Sequence, residues 1–175
     1  MPSDSKNIVV KIAVTGTPGT GKTTVAQKLA DKGYDIIHLT QYFEENDIGE
    51  KINGEREIEI EEMVEEIQSE DLSEDVIIEG HLAHYIPSDI CVVLRCRPDE
   101  LRERLSIRDY TDEKVEENIE AEKIDIVLSE VVKNQKTIIE VDTTDKLVDE
   151  TIGEIMEKVE KGVNDYGNVD WTDFI

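Results

Sequence analysis

Gly16-Thr17-Pro18-Gly19-Thr20-Gly21-Lys22-Thr23-Thr24 follows an apolar run, Ile8-Val9-Val10-Lys11-Ile12-Ala13-Val14. It precedes Val25, Ala26, Leu29 and Ala30, which recur at helical spacing. The pattern Gly16-x-x-x-x-Gly21-Lys22-Thr23 is that of a P-loop set between a buried strand and a helix. Glycines let the backbone curl with its N–H groups inward, so the loop forms an anion-binding nest at a helix N-terminus. Lys22 adds a mobile positive charge for the terminal phosphates of a nucleoside triphosphate, and the Thr23 hydroxyl is a ligand for Mg²⁺. Strand, cradle and helix together set the fold class.

Outward from the loop, strands and helices alternate. Asp35–Leu39, Asp75–Glu79, Ile90–Leu94 and Thr137–Val141 read as further strands, three or more of them continuous apolar runs. Ile60, Met63, Val64 and Ile67 mark a helix over about 59–68, and Pro98 opens another carrying Leu101 and Leu105. A long amphipathic stretch covers 112–134, and a last helix covers 145–161. The pattern predicts an α/β P-loop NTPase fold of three layers, with five parallel strands in the centre and helices on both faces. Residues 40–58 are polar and without a convincing period. The tail, 162–175, carries Tyr166, Trp171 and Phe174, and the sequence leaves open whether it is disordered or pinned by them.

A chain of 175 residues allows one domain, 1–175. Lys and Arg number 19 against 43 Asp and Glu, a formal net charge of −24, and 35% of residues are charged against about 25% in typical domains. Such a field opposes sequence-independent binding to nucleic acid, and no direct sequence-specific binding is expected either. No apolar run approaches the roughly 20 residues that span a bilayer, and the polar start, Met1–Asn7, lacks a secretory pattern. The expected place is the cytoplasm, with Cys91 and Cys96 reduced, as strand packing and strand end. The acidity is either a solubility device for a salt-rich cell or a surface for one basic partner. Its even spread from Asp31 to Asp173 favours the first.

A P-loop specifies a triphosphate and not its fate. The chain is too short for switch machinery or a motor, and no Asn/Thr-Lys-x-Asp element reads guanine. A P-loop core with one polar insert, about 40–58, and one Arg-bearing segment, about 105–117, suits a small phosphoryl-transfer kinase. Five of the six arginines lie between Arg95 and Arg108, the others being Arg97, Arg102 and Arg104. Each alone reads equally as surface pairing with Glu100 or Glu103. As a group they match charge on a transferring phosphoryl group, and Arg108, in a polar stretch between two helices, is the first choice. Glu79 and His81 follow the third strand at its carboxyl end, where α/β sheets bind ligands. There Glu79 would hold a Mg²⁺-bound water and His81 would orient water or an acceptor. His38 and His84 have weaker claims. The Glu-rich stretch 55–70 reads as a solvated helix face.

On these residues the chain resembles the adenylate kinase isoenzyme 6 family, small P-loop nucleoside monophosphate kinases also implicated in ribosome assembly. Three stretches carry the resemblance: Thr15 to Thr24; Val76-Ile77-Ile78-Glu79-Gly80-His81; and Val93-Leu94-Arg95 through Glu103-Arg104-Leu105-x-x-Arg108-x-Tyr110 to Glu117-Asn118-Ile119. It runs from Ile8 to about Lys158. The resemblance implies that Gly19, Gly21, Lys22, Thr23, Thr24 and Arg108 contact ATP, with Lys22, Arg108 and His81 catalytic. It implies Mg²⁺ at Thr23 and Glu79, a monophosphate-binding region over about 38–61, and a lid over about 107–117. It also implies the Mg²⁺-dependent reaction ATP + AMP = 2 ADP with accompanying ATPase activity; the alternative it implies is an ATPase assembly factor of the small ribosomal subunit with a ribosomal protein partner. Two positions depart from the family. Glu79 stands for an Asp, and Glu44 stands where relatives place an early Arg, so Arg95 is the substitute expected to bind the acceptor phosphate. Lys146 is matched loosely to a nucleotide-contacting Lys.

Overall fold

The computed structural model describes residues 10–72 and 75–175; Ile8 and Val9 of the first expected strand lie outside it. Strand β1 (Lys11–Gly16) runs into the loop, which feeds α1 (Lys22–Ala30). β2 (Asp35–His38), α2 (Leu39–Glu45), β3 (Glu50–Ile52), β4 (Glu55–Glu57) and α3 (Ile60–Ser69) follow. Then come β5 (Val76–Glu79), β6 (Ile90–Arg95), α4 (Pro98–Ser106), α5 (Asp112–Lys123), α6 (Ile126–Asn134), β7 (Ile138–Asp142) and α7 (Val148–Lys161).

Five strands form one parallel sheet in the order β2-β5-β1-β6-β7. The continuous apolar runs are explained by burial on both faces. Ile12 and Val14 of β1 join Val25, Leu29, Ile152 and Ile155 from α1 and α7 on one side. Ala13, between them, points to Leu39, Phe43, Met63, Ile67 and Val131 from α2, α3 and α6 on the other. A third cluster, Cys96, Leu101, Leu105, Val115 and Ile119, seats α4 and α5 beside the loop. β1 and β5 are adjacent, so the P-loop and Glu79 emerge side by side at the carboxyl edge.

Three expectations are refined. The polar insert is ordered as α2 followed by the antiparallel hairpin β3–β4, too short for a visible period. The stretch 112–134 is two helices, broken at Asp125, whose φ of 57° is left-handed and stops α5. The tail is pinned. Asp165 bridges to Ile139, Gly167 N donates to Glu140 Oε1 at 3.0 Å, and Trp171 is buried. No helix among the described residues is long and apolar enough to cross a membrane.

Candidate active site

The cradle is built by its glycines and its neighbours. Gly19 has φ 91°, and a Cβ there would meet Leu101 Cδ1 and Leu105 Cδ2 at 2.9 Å. Gly21, at φ 102°, forms the N-cap of α1, which has neither a side-chain cap nor an acidic residue in its first turn. Its free amides and positive dipole end therefore suit an anion. Lys22 Nζ donates to the carbonyls of Gly16 and Thr17 at 3.0 and 3.2 Å, which holds the ammonium across the loop. Burial lowers its pKa to about 8; Glu79 opposes that shift and Arg108 adds to it.

Glu79 is buried and meets Thr23 at 3.3 Å between Thr23 Oγ1 and Glu79 Oε1. Its other oxygen accepts from His38 Nδ1 at 2.7 Å, while His38 Nε2 accepts from the Gln27 amide at 3.2 Å. Hydroxyl and carboxylate oxygens are the hard donors Mg²⁺ takes, so the pair fits that ion as one side of a hydrated, phosphate-completed shell. His81 opens to the site yet is desolvated by its walls. That desolvation lowers its pKa, and Lys22, His84 and Lys114 push the same way against the carboxylate of Glu79, so the balance favours the neutral ring. A neutral imidazole orients a hydroxyl or phosphate oxygen rather than clamping charge.

Three contiguous hollows run along the carboxyl edge. One of about 270 Å³ is lined by Gly19, Gly21, Arg104, Arg108, Lys146 and Val148. The middle one, about 190 Å³, holds Lys22, Thr23, Thr24, Glu79, His81 and Arg108. The third, about 620 Å³, lies between α2, the β3–β4 hairpin and α5, with Phe43, Tyr85 and Tyr110 in its walls. Arg108 is shared by the first two, and His81, Pro18, Thr40 and Tyr110 by the last two.

The expected residues Gly19, Gly21, Lys22, Thr23, Thr24, Glu79, His81 and Arg108 thus gather in one place. Arg95 does not. It is 2% exposed, and its Nε donates to Glu122 Oε1 at 2.8 Å, Nη1 to Glu140 Oε2 at 2.8 Å and Nη2 to Asp125 Oδ1 at 2.5 Å. Burial alone pulls its pKa down, but these carboxylates more than offset that and hold it charged. With its fork committed to protein, Arg95 is not placed to take an acceptor phosphate. Arg97 pairs with Asp99 and Asp145, and Arg102 with Glu116, as ordinary surface pairs.

Other roles emerged only from the structure. Arg104 Nη1 donates to the Gly19 carbonyl at 3.3 Å and to Thr143 Oγ1 at 3.1 Å, bracing the loop. Glu122 Oε2 accepts from the Thr17 hydroxyl at 2.6 Å. His84, fully buried, donates Nε2–H to Glu130 at 2.9 Å and accepts at Nδ1 from Thr15 Oγ1 at 2.8 Å, tying β1 to α6. Burial lowers the His84 pKa. The insert's predicted region, 38–61, supplies Thr40, Phe43, Glu44, Lys51 and Arg56 to the largest hollow. The predicted lid corresponds to the short loop carrying Arg108 and the first turns of α5, which Thr111 caps by accepting from Lys114 N at 3.2 Å.

A glycine-rich cradle between β1 and an uncapped α1, on a parallel sheet of this strand order, defines the P-loop nucleotide-binding fold. Residues 12–125 match the AAA domain family. Over 164 residues, 93% of each chain, the protein is 45% identical to a Thermococcus gammatolerans protein named "Putative adenylate kinase". It is 42% identical to the Pyrococcus furiosus protein of the same name over 92% of this chain and 91% of that one. Among solved structures it is similar in fold to deoxyadenosine kinase from M. mycoides, at TM-score 0.58, 18% identity, and coverage of 86% and 99%. Shikimate kinase from Bacteroides thetaiotaomicron aligns at TM-score 0.52 and 21% identity, covering 86% of this chain and 98% of that chain. The chain belongs to the AAA domain family and is a relative of the archaeal proteins named "Putative adenylate kinase".

Proposed function

We propose that this protein is a nucleoside monophosphate kinase that transfers the γ-phosphoryl group of ATP to AMP, giving two ADP. One observation carries the reading: a phosphate cradle sits between two further hollows and shares Arg108 with one and His81 with the other. A hydrolase needs only the first two hollows. A third, larger one with aromatic walls suits a second nucleotide.

In this reading Gly19, Gly21, Lys22, Thr23 and Thr24 hold the donor's phosphates by their amides, ammonium and hydroxyls. Lys22 leaves its two loop carbonyls for the transferring group, and Arg108 meets the same charge from the opposite wall. His81, neutral, orients the acceptor's attacking oxygen. Thr23, and Glu79 through water, would hold Mg²⁺, which when bound neutralises charge on the phosphate oxygens. Closure of the Arg108 loop keeps water from the transferring group. No covalent enzyme intermediate is needed, because positioning and electrostatics suffice for this chemistry.

A coupled assay at high salt with AMP, CMP, UMP and dAMP tests the reading. ADP formation with AMP is expected; folded protein that turns over none of the four would overturn it. A second reading, a cytoplasmic ATPase that acts on a basic small-subunit ribosomal protein, draws on the net charge of −24 and on exposed Glu61, Glu62, Glu65 and Glu66 along α3. ATP hydrolysis that rises with such a protein and not with AMP would favour it.

A further inference from the structure

We infer that Lys114 and Asn118, on one face of α5, are the residues that read the acceptor, Lys114 taking its phosphate and Asn118 its nucleoside. This rests on the kinase reading above and assigns the contacts that reading leaves open. Lys114, Asn118 and Ala121 are spaced i, i+4, i+7, and all three line the 620 Å³ hollow, so a single helical stripe forms its wall.

Asn118 Nδ2 is buried and has no hydrogen-bond partner within the protein. A buried amide left unpaired costs about 1–3 kcal/mol, so it persists where a ligand completes it. An amide presents a donor and an acceptor together, which matches a base edge or a sugar hydroxyl.

Three cationic side chains line the hollow: Lys51, Arg56 and Lys114. Arg56 Nη1 donates to the Ile48 carbonyl at 2.7 Å and lies 3.6 Å from Asp47, which ties that end of the guanidinium to its own loop, while its Nε is buried without a partner. Lys51 is exposed on β3. Lys114 stands beside Tyr110, and Tyr110 and His81 line both this hollow and the phosphate hollow. Lys114 is therefore the cation on the transfer side. Its ammonium lies 5.3 Å from the Tyr110 ring centroid and pairs with Glu55 of the hairpin. An exposed carboxylate partner is weakly held, and a phosphate dianion outcompetes it. Glu55 thus keeps Lys114 in place until an acceptor arrives.

The test is calorimetric titration of the folded full chain with AMP and with adenosine, Mg·ATP binding being measured alongside as a check on the donor site. Lys114→Gln should weaken AMP by about tenfold or more and leave adenosine unchanged, as expected for loss of a charge-assisted bond. Asn118→Ala should weaken AMP and adenosine by a similar factor, with the isosteric Asn118→Asp as a second variant should the first fold poorly. Glu55→Gln should tighten AMP by roughly twofold to fivefold, since it frees Lys114 from a surface pair. Lys51→Gln is the comparison for a general field effect and should change AMP by less than about twofold. Unchanged AMP binding in Lys114→Gln and in the Asn118 variants would overturn the assignment alone. A parent protein that binds Mg·ATP but none of AMP, CMP, UMP and dAMP would instead overturn the kinase reading, and this one with it.

Discussion

The Thr17 hydroxyl donates to Glu122 across 2.6 Å in a buried environment, although the two residues are 105 positions apart. Glu122 also accepts from Arg95 Nε at 2.8 Å, Cys96 N at 3.2 Å and Trp171 Nε1 at 3.1 Å. One carboxylate therefore joins the phosphate loop, the end of β6 and the tail. Glu122→Ala strips a buried guanidinium of its main partner and should lose about 3–5 kcal/mol of stability. Glu122→Gln keeps an acceptor for Thr17, and Arg95 keeps Glu140 and Asp125, so its loss should be clearly smaller. Denaturant midpoints at constant slope measure both. A shift below about 1 kcal/mol in the alanine variant would be inconsistent with a buried network.

Lys22 gives a pH prediction. Its pKa of about 8 means the ammonium discharges as pH rises through that value in the free protein. A triphosphate stabilises the charged form, so binding above pH 8 should take up a proton and weaken with rising pH, by at most about tenfold per unit. Calorimetry at pH 8.5 in buffers of different ionisation enthalpy reads this directly. Heat that is independent of buffer, or that indicates proton release, would contradict it. Lys22→Arg should abolish the uptake, because a guanidinium stays charged.

Gly19→Ala and Gly21→Ala both force an alanine to positive φ, 91° and 102°, which costs about 1–2 kcal/mol each. Only at position 19 does the new Cβ also press on Leu101 and Leu105, at 2.9 Å; at position 21 nothing lies within 4 Å. Both variants should lose triphosphate affinity, but Gly19→Ala should melt clearly lower. Equal melting temperatures would mean that the two leucines yield freely.

A formal charge of −24 predicts salt-dependent stability. Screening shortens from about 10 Å at 0.1 M to about 3 Å at 1 M salt, so repulsion among the surface carboxylates falls over that range. Melting temperature should rise steadily with KCl and drop on dialysis to low salt. A flat profile would assign the acidity to partner binding instead.

The cradle and the sheet were legible in the sequence because each depends on near neighbours. Gly21, Lys22 and Thr23 are consecutive, and the strands announce themselves by unbroken apolar runs such as Ile90–Leu94. Glu79 and His81 were legible for the same reason, at the end of a strand. Glu122 was hidden because its partners, Thr17 and Trp171, lie 105 and 49 positions away, and in a chain this rich in carboxylates no single one stands out. His38 has only a weak claim in the sequence, while the parallel register of β2 and β5 sets it directly opposite Glu79. Arg95 misled because an arginine among arginines near a phosphate loop invites a ligand role, whereas three distant carboxylates enclose it.

The anchoring of Trp171 on Glu122 has a bearing on biosynthesis. Glu122, which accepts from Thr17 of the loop, also accepts from an indole synthesised long after that loop. A nascent polypeptide still holding residue 171 inside the ribosomal tunnel has the cradle's covalent sequence but not its full support. Full support of the cradle would thereby wait until residue 171 has left the tunnel.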